Sequence, residues 1–145
     1  MRHAERNTVL EDKEGAMATM RFIHRGKGVA ATMRFLKDLK AKKYLKNLDK
    51  YGQRGVELLS QATPVDTGKT AASWTYKIKV DEKTVSIKWI NTNENKGENV
   101  AVLIQFGHGT TNGGFVKGRD FINPALRQLF DEIVQDVWKE VTAVE

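Results

Sequence analysis

Asp66-Thr67-Gly68 has the residue types with which aspartic proteases hold a catalytic carboxylate, and a homodimer would bring a second copy beside the first. That chemistry needs a hydrophobic strand before the triplet and a small residue after it. Here a helix end and Pro64 precede it and Lys69 follows. Asp66 is therefore expected to accept hydrogen bonds from backbone N–H groups in the turn after Pro64. Gly68-Lys69-Thr70 imitates the end of a phosphate-binding loop, but Thr63 stands where that motif needs glycine, and no strand leads into it. His3, His24 and His108 have no carboxylate or second histidine at a ligand spacing. Ser60, Ser73 and Ser86 lie in no Gly-x-Ser-x-Gly context. His108, between two glycines, reads as a loop residue beside a close backbone contact. No catalytic, cofactor-binding or metal-ligating residue is expected, and no enzymatic activity.

Composition narrows the classes further. The 145 residues are 40% hydrophobic and 29% charged, with a mean hydropathy of -0.50. No apolar run approaches the roughly 18 residues of a membrane span, so a soluble chain with no membrane partner is expected. The absence of cysteine removes disulfides, thiolate metal sites and a cysteine nucleophile. Met1 to Arg6 is charged and lacks the apolar core of a secretory signal, which makes the cytoplasm the default compartment. The net charge is +6, and it is unevenly placed: ten Lys or Arg lie between Arg21 and Lys50 against Asp38 and Asp49 alone. Within that run Lys37, Lys40, Lys42, Lys43 and Lys46 cannot all pair with two aspartates. They are candidates for a surface facing DNA or an acidic partner, against the alternative of a solvated helix face.

The elements that position these residues follow from hydrophobic period. Residues 1–19 mix charges without periodicity and read as a flexible arm or leader, with a single domain over 20–145. Met20 to His24 alternates weakly as a short strand, ended by Gly26-Lys27-Gly28. Ala30, Met33 and Leu36 predict a short helix up to Lys40; Leu45, Leu48, Val56, Leu59 and Ala62 predict a second, ended by Pro64. Gly52 and Gly55 weaken that helix and mark a close approach of another backbone. Trp74, Tyr76, Ile78 and Val80 alternate with polar residues, as do Val85, Ile87 and Trp89 after a turn at Asp81-Glu82-Lys83, which predicts a hairpin. Asn91 to Asn99 reads as a flexible loop, and Val100 to Phe106 as a buried strand or a short helix. A glycine-rich loop around His108 leads to a short strand at Phe115-Val116. Asn123 as N-cap and Pro124 at the first helical position open a long C-terminal helix. The expected fold class is α+β: a small antiparallel sheet packed with N-terminal helices and one long C-terminal helix.

Three segments then resemble one family. Ala62-Thr63-Pro64-Val65-Asp66-Thr67-Gly68, followed by Ser73, is similar to the Pro-Val-Asp-Thr-Gly signature of the tail-completion, or neck, proteins of long-tailed bacteriophages. Ile104-Gln105-Phe106-Gly107-His108-Gly109-Thr110 resembles that family's acidic-aromatic-Gly-Thr segment, and Arg119-Asp120-Phe121-Ile122-Asn123-Pro124-Ala125-Leu126 its aromatic-x-x-Pro-Ala. Lys69-Thr70 stands in place of the usual Leu-Arg, Gln105 in place of Glu, and His108-Gly109 is inserted before Thr110. The resemblance implies a non-enzymatic structural protein of the virion neck, assembled in the host cytoplasm. It also implies a homo-oligomeric ring of about six copies, or twelve, joined to other neck proteins and to the tail terminator or tail tube. Genomic DNA passes or rests in the channel, and Pro64 to Gly68, Phe106, Gly107, His108 and Pro124 become interface candidates. No cofactor is implied. The basic run alone supports a second reading, a sequence-independent nucleic-acid-binding module.

Overall fold

The computed structural model describes residues 2–8, 17–24, 45–64, 68–80 and 84–143. Four strands, β1 (Arg2–Thr8), β2 (Ala18–His24), β3 (Trp74–Val80) and β4 (Thr84–Asn91), form one antiparallel sheet in the order β1-β2-β4-β3. Helix α1 (Leu45–Ala62) lies on β3 and β4, and the long C-terminal helix α3 (Ile122–Ala143) packs on α1 and reaches β1. The short helix α2 (Val100–Phe106) connects the two halves of the layer. The fold class is α+β.

Alternation decides which face of the sheet is inside. Ile87 pairs in register with Met20 and Ile78, and Trp89 with Ala18 and Tyr76. These rows face the helices, where Leu48, Leu58, Leu59, Ile122, Leu126, Leu129 and Ile133 close one buried core. The glycines of α1 are explained by the same packing. A Cβ on Gly52 would enter the Tyr76 ring, and one on Gly55 the Trp89 indole. The close neighbours are aromatic side chains rather than the backbone expected from the sequence. Trp89 Nε1 donates to the Gly52 carbonyl at 3.0 Å, so the indole is both packed and hydrogen-bonded.

Several expectations are corrected. Within residues 1–19, Arg2–Thr8 is a strand rather than a flexible arm, with all seven residues in register against β2. An edge strand is held by backbone hydrogen bonds and needs no apolar alternation to form, which is why its sequence looks featureless. Asn91 to Asn99 is also ordered, as a hairpin of β5 (Glu94–Asn95) and β6 (Glu98–Asn99). Lys96 and Gly97 supply the two positive φ angles, 54° and 80°, that a tight hairpin turn demands. Val100 to Phe106 resolves as helix, with the Asn99 side chain accepting from the Ala101 and Val102 amides as N-cap. The helix from Ala30 to Lys40 and the turns at Gly26 to Gly28 and Asp81 to Lys83 lie outside the described residues.

Replacing Gly55 with alanine tests the packing. Helix propensity alone favours alanine by about 1 kcal/mol. The collision with Trp89 should reverse the sign and destabilise the chain by about 1–3 kcal/mol. Urea denaturation of Gly55→Ala and the wild type measures the difference, and a stabilised variant would contradict this account.

Candidate functional site

The second and third segments of the resemblance are bonded directly through Gln105, and the first reaches the third through Thr63 and Trp74. Thr63, at the end of α1, donates its hydroxyl to the Leu59 carbonyl at 2.6 Å and accepts from Trp74 Nε1 at 2.9 Å. Trp74 stands edge-on to Phe121, ring centroids 6.4 Å apart. Pro64 is half-buried beside Thr63; Val65, Asp66 and Thr67 lie outside the described residues; Gly68 has φ +81°. A one-turn helix, Ala71–Ser73, follows and feeds β3. Ser73 Oγ donates to the Lys69 carbonyl at 2.6 Å, so the serine of the first motif closes a turn. Thr70 is buried between two asparagines: Asn91 Nδ2 donates to its carbonyl and Asn93 Nδ2 to its hydroxyl, each at 2.8 Å. The Asn-rich segment is thus anchored by polar groups where apolar anchors are missing.

Gln105 joins the second segment to the third. Its Oε1 accepts from the Phe121 and Ile122 amides at 3.1 and 3.2 Å, and its Nε2 donates to Asp120 Oδ1 at 2.8 Å. Asp120 Oδ1 in turn accepts from the Asn123 amide at 3.1 Å. Pro124 has no N–H to satisfy. The open end of α3 is therefore capped from outside by Gln105 and Asp120. The expected N-cap, Asn123, sits inside the helix as a donor. Pro124 itself is exposed.

Between these two anchors the chain leaves the body as a hairpin, β7 (Gly107–Gly109) and β8 (Phe115–Lys117). Its base is pinched shut, with Arg119 N donating to the Ile104 carbonyl at 2.8 Å. Gly107 takes φ +84°, and a Cβ there would strike the Val116 carbonyl. His108 is half-buried, with Nδ1 enclosed and lacking a hydrogen-bond partner. Phe106, Phe115 and Val116 are 44%, 70% and 48% exposed, and as neighbours along β8 Phe115 and Val116 point to opposite faces of the hairpin. Sequence reading singled out Phe106 but not Phe115, although its place between Gly113-Gly114 and Val116 carried the signal.

Two further surfaces are charged. A cleft of about 420 Å³ between α1 and α3 is lined by Lys50, Tyr51, Arg54, Glu57, Glu132 and Asp136, with Gln53 and Gln135. Arg54 bridges Glu132 and Glu57, both at 2.9 Å, and Tyr51 donates to Asp136 at 3.2 Å. The hydrogen bond from Arg54 holds the Glu132 carboxyl below its ordinary range and raises the guanidinium. On β3, burial and then the bond to Asp49 push the Tyr76 hydroxyl up. On the outer face of the sheet, Lys77 pairs in register with Lys88, and Lys79 shares a row with Ser86 and Arg21. Glu5 is the register partner of Arg21. Lys37, Lys40, Lys42 and Lys43 lie outside the described residues, and of Lys46 only its place in α1 is described.

Among the described residues no group of three His, Asp or Glu could hold a metal, and no helix is long and apolar enough to cross a membrane. No protein-family model, curated protein or solved structure matches the chain.

Removing the Gln105 amide leaves two amides at the buried start of α3 without acceptors. Gln105→Ala should cost about 2–3 kcal/mol in chemical denaturation, while an exposed control, Gln61→Ala, should cost almost nothing. The Arg54 tie has a pH signature. Because the Glu132 pKa is lowered in the folded state, its contribution is present above the unfolded value and is lost as pH falls through the folded one. Solvent screening keeps it below about 1 kcal/mol. Thermal melts at pH 7 and pH 3 should therefore differ slightly less for Glu132→Gln than for the wild type.

Proposed function

We propose that the chain is a non-enzymatic structural protein of the bacteriophage neck. It closes as a ring of identical copies that completes the tail and joins it to the head, with DNA in the channel. One observation carries the reading: the motif-bearing segments, far apart in sequence, converge through Trp74, Phe121 and Gln105. The polar groups there hold turns and a helix end, which is the use a structural signature makes of such residues. The projecting apolar hairpin adds a surface suited to burial between neighbours. The partners on this reading are other neck proteins, the tail terminator or tail tube, and genomic DNA; the place is the virion neck, after assembly in the host cytoplasm.

The alternative, a sequence-independent nucleic-acid-binding module, is motivated by the basic run from Arg21 to Lys50. Light scattering and negative-stain imaging separate the two. Rings of uniform diameter in the wild type, without DNA, support the neck reading; a chain that stays monomeric alone and with tail tubes, yet coats DNA, supports the module. On either reading Lys40, Lys42 and Lys43 face anions. Their joint replacement by Gln should leave the melting temperature nearly unchanged and flatten the salt dependence of DNA retention by roughly one logarithmic unit of slope for each phosphate no longer neutralised.

A further inference from the structure

We infer that the β7–β8 arm of one copy seats in the α1–α3 cleft of the next copy, and that this contact is the repeating joint of the assembly. The inference rests on the proposed ring and names its interface.

The arm is built to reach away from its own body. Its base is closed by the Arg119–Ile104 hydrogen bond and the Gln105 cap, so its direction is fixed while its tip is free. Phe115 is 70% exposed on one face of the arm, and Val116 exposes a second apolar side chain on the opposite face. The partner surface must therefore be concave and able to take aromatic side chains. The α1–α3 cleft is concave, and its volume of about 420 Å³ falls in the size range of small-ligand sites, roughly 300–1,000 Å³. Its lining is unlike such sites, because charged and amide side chains dominate it. Within that lining the Tyr51 ring and the Arg54 guanidinium are the groups that can receive an aromatic side chain, by ring and cation–π contact.

Charge selects this chain as the occupant. From Val100 to Arg119 there is no Asp or Glu, and the arm ends in Lys117 and Arg119. The cleft holds the carboxylates Glu57, Glu132 and Asp136, bonded to Arg54 and Tyr51, with Lys50 beside them, so its lining is weakly acidic. Arm and cleft are different patches on one molecule, so the contact is heterologous, and repetition of it closes a ring or grows a filament. Reciprocal exchange of two arms would instead close a two-fold dimer, so cross-linking that stops at dimers would overturn the repeating joint.

The absence of cysteine makes the test direct. Phe115→Cys and Gln135→Cys, combined in one full-length chain and oxidised, should give a ladder of covalent multimers in non-reducing electrophoresis. Either variant alone should not. Phe115→Ser, checked for unchanged circular dichroism, should lose at least tenfold in self-association by light scattering. A charge reversal, Lys117→Glu, should weaken association, and adding Asp136→Lys should restore it. Wild-type multimers with no ladder, and with Phe115→Ser still assembled, would overturn this joint while leaving the ring reading intact. Phe115→Cys chains that cross-link only to each other would replace it with a symmetric contact. Disulfides confined within single chains would show the cleft to be filled by the arm of its own chain. A wild type monomeric at every concentration, alone and on tail tubes, with no ladder, would overturn both.

Discussion

The structure is organised around the burial of one indole. Trp89 is fully enclosed at the centre of the sheet, and its N–H must find an acceptor there because no water can replace one. The acceptor is the Gly52 carbonyl, reachable only because Gly52 and Gly55 strip that side of α1 of side chains. This one requirement fixes the height and rotation of α1 over β3 and β4. The Trp89 carbonyl accepts from Met17 N at 3.0 Å, which sets where β2 begins. Leu48, Leu58 and Leu59 of α1 share the core with Leu126, Leu129 and Ile133 of α3, which sets the position of α3, and the Arg54–Glu132 bond adds to it at the surface. Helix propensity opposes two glycines in α1, and the packing outweighs it.

A second constraint acts at the start of α3. Phe121 and Ile122 are buried, so their amides cannot turn to solvent, and the chain after α2 supplies the acceptors through Gln105 and Asp120. The consequence is mechanical. With Gln105 and Arg119 both tied to fixed points, the residues between them have to leave the body as an arm. Gly107 and Gly118 permit the crossing at its root, where a Cβ on either would collide with the opposite backbone.

Much of this was legible in the sequence wherever hydrophobic period was strong. The α1 stripe up to Ala62, the β3–β4 alternation and the apolar face of α3 were all readable, and so was the anomaly of Gly52 and Gly55. What escaped depends on partners distant in the chain. The polar strand Arg2–Thr8 is defined by backbone pairing with β2, which leaves no trace in its side-chain pattern. Asn91 and Asn93 look like loop residues until Thr70 is beside them. Asp120 displaces Asn123 as the cap because Gln105, 15 residues earlier, orients it. Gln105 itself was visible only as a departure from a family pattern, since nothing in its neighbours says that its amide serves another helix.

Charge is also distributed by layer, and this bears on how copies would be oriented. Among the described side chains, Arg21, Lys77, Lys79 and Lys88 belong to the outer face of the sheet, while the helices on the other side of the core carry the acids Asp49, Glu57, Asp131, Glu132 and Asp136 against Lys50, Arg54 and Arg127. Cross-strand register produces the first grouping and the α1–α3 packing the second, so the polarity follows from the fold and not from clustering along the chain. A subunit polarised in this way has a preferred orientation in the field of a polyanion. Copies related by rotation about an axis present the same face inward, and their fields add there. On the proposed ring reading, the sheet face is the one that gains from facing the axis and its DNA. The cleft, with its carboxylates, then lies away from the DNA, where it does not repel the phosphates and remains open to a neighbour.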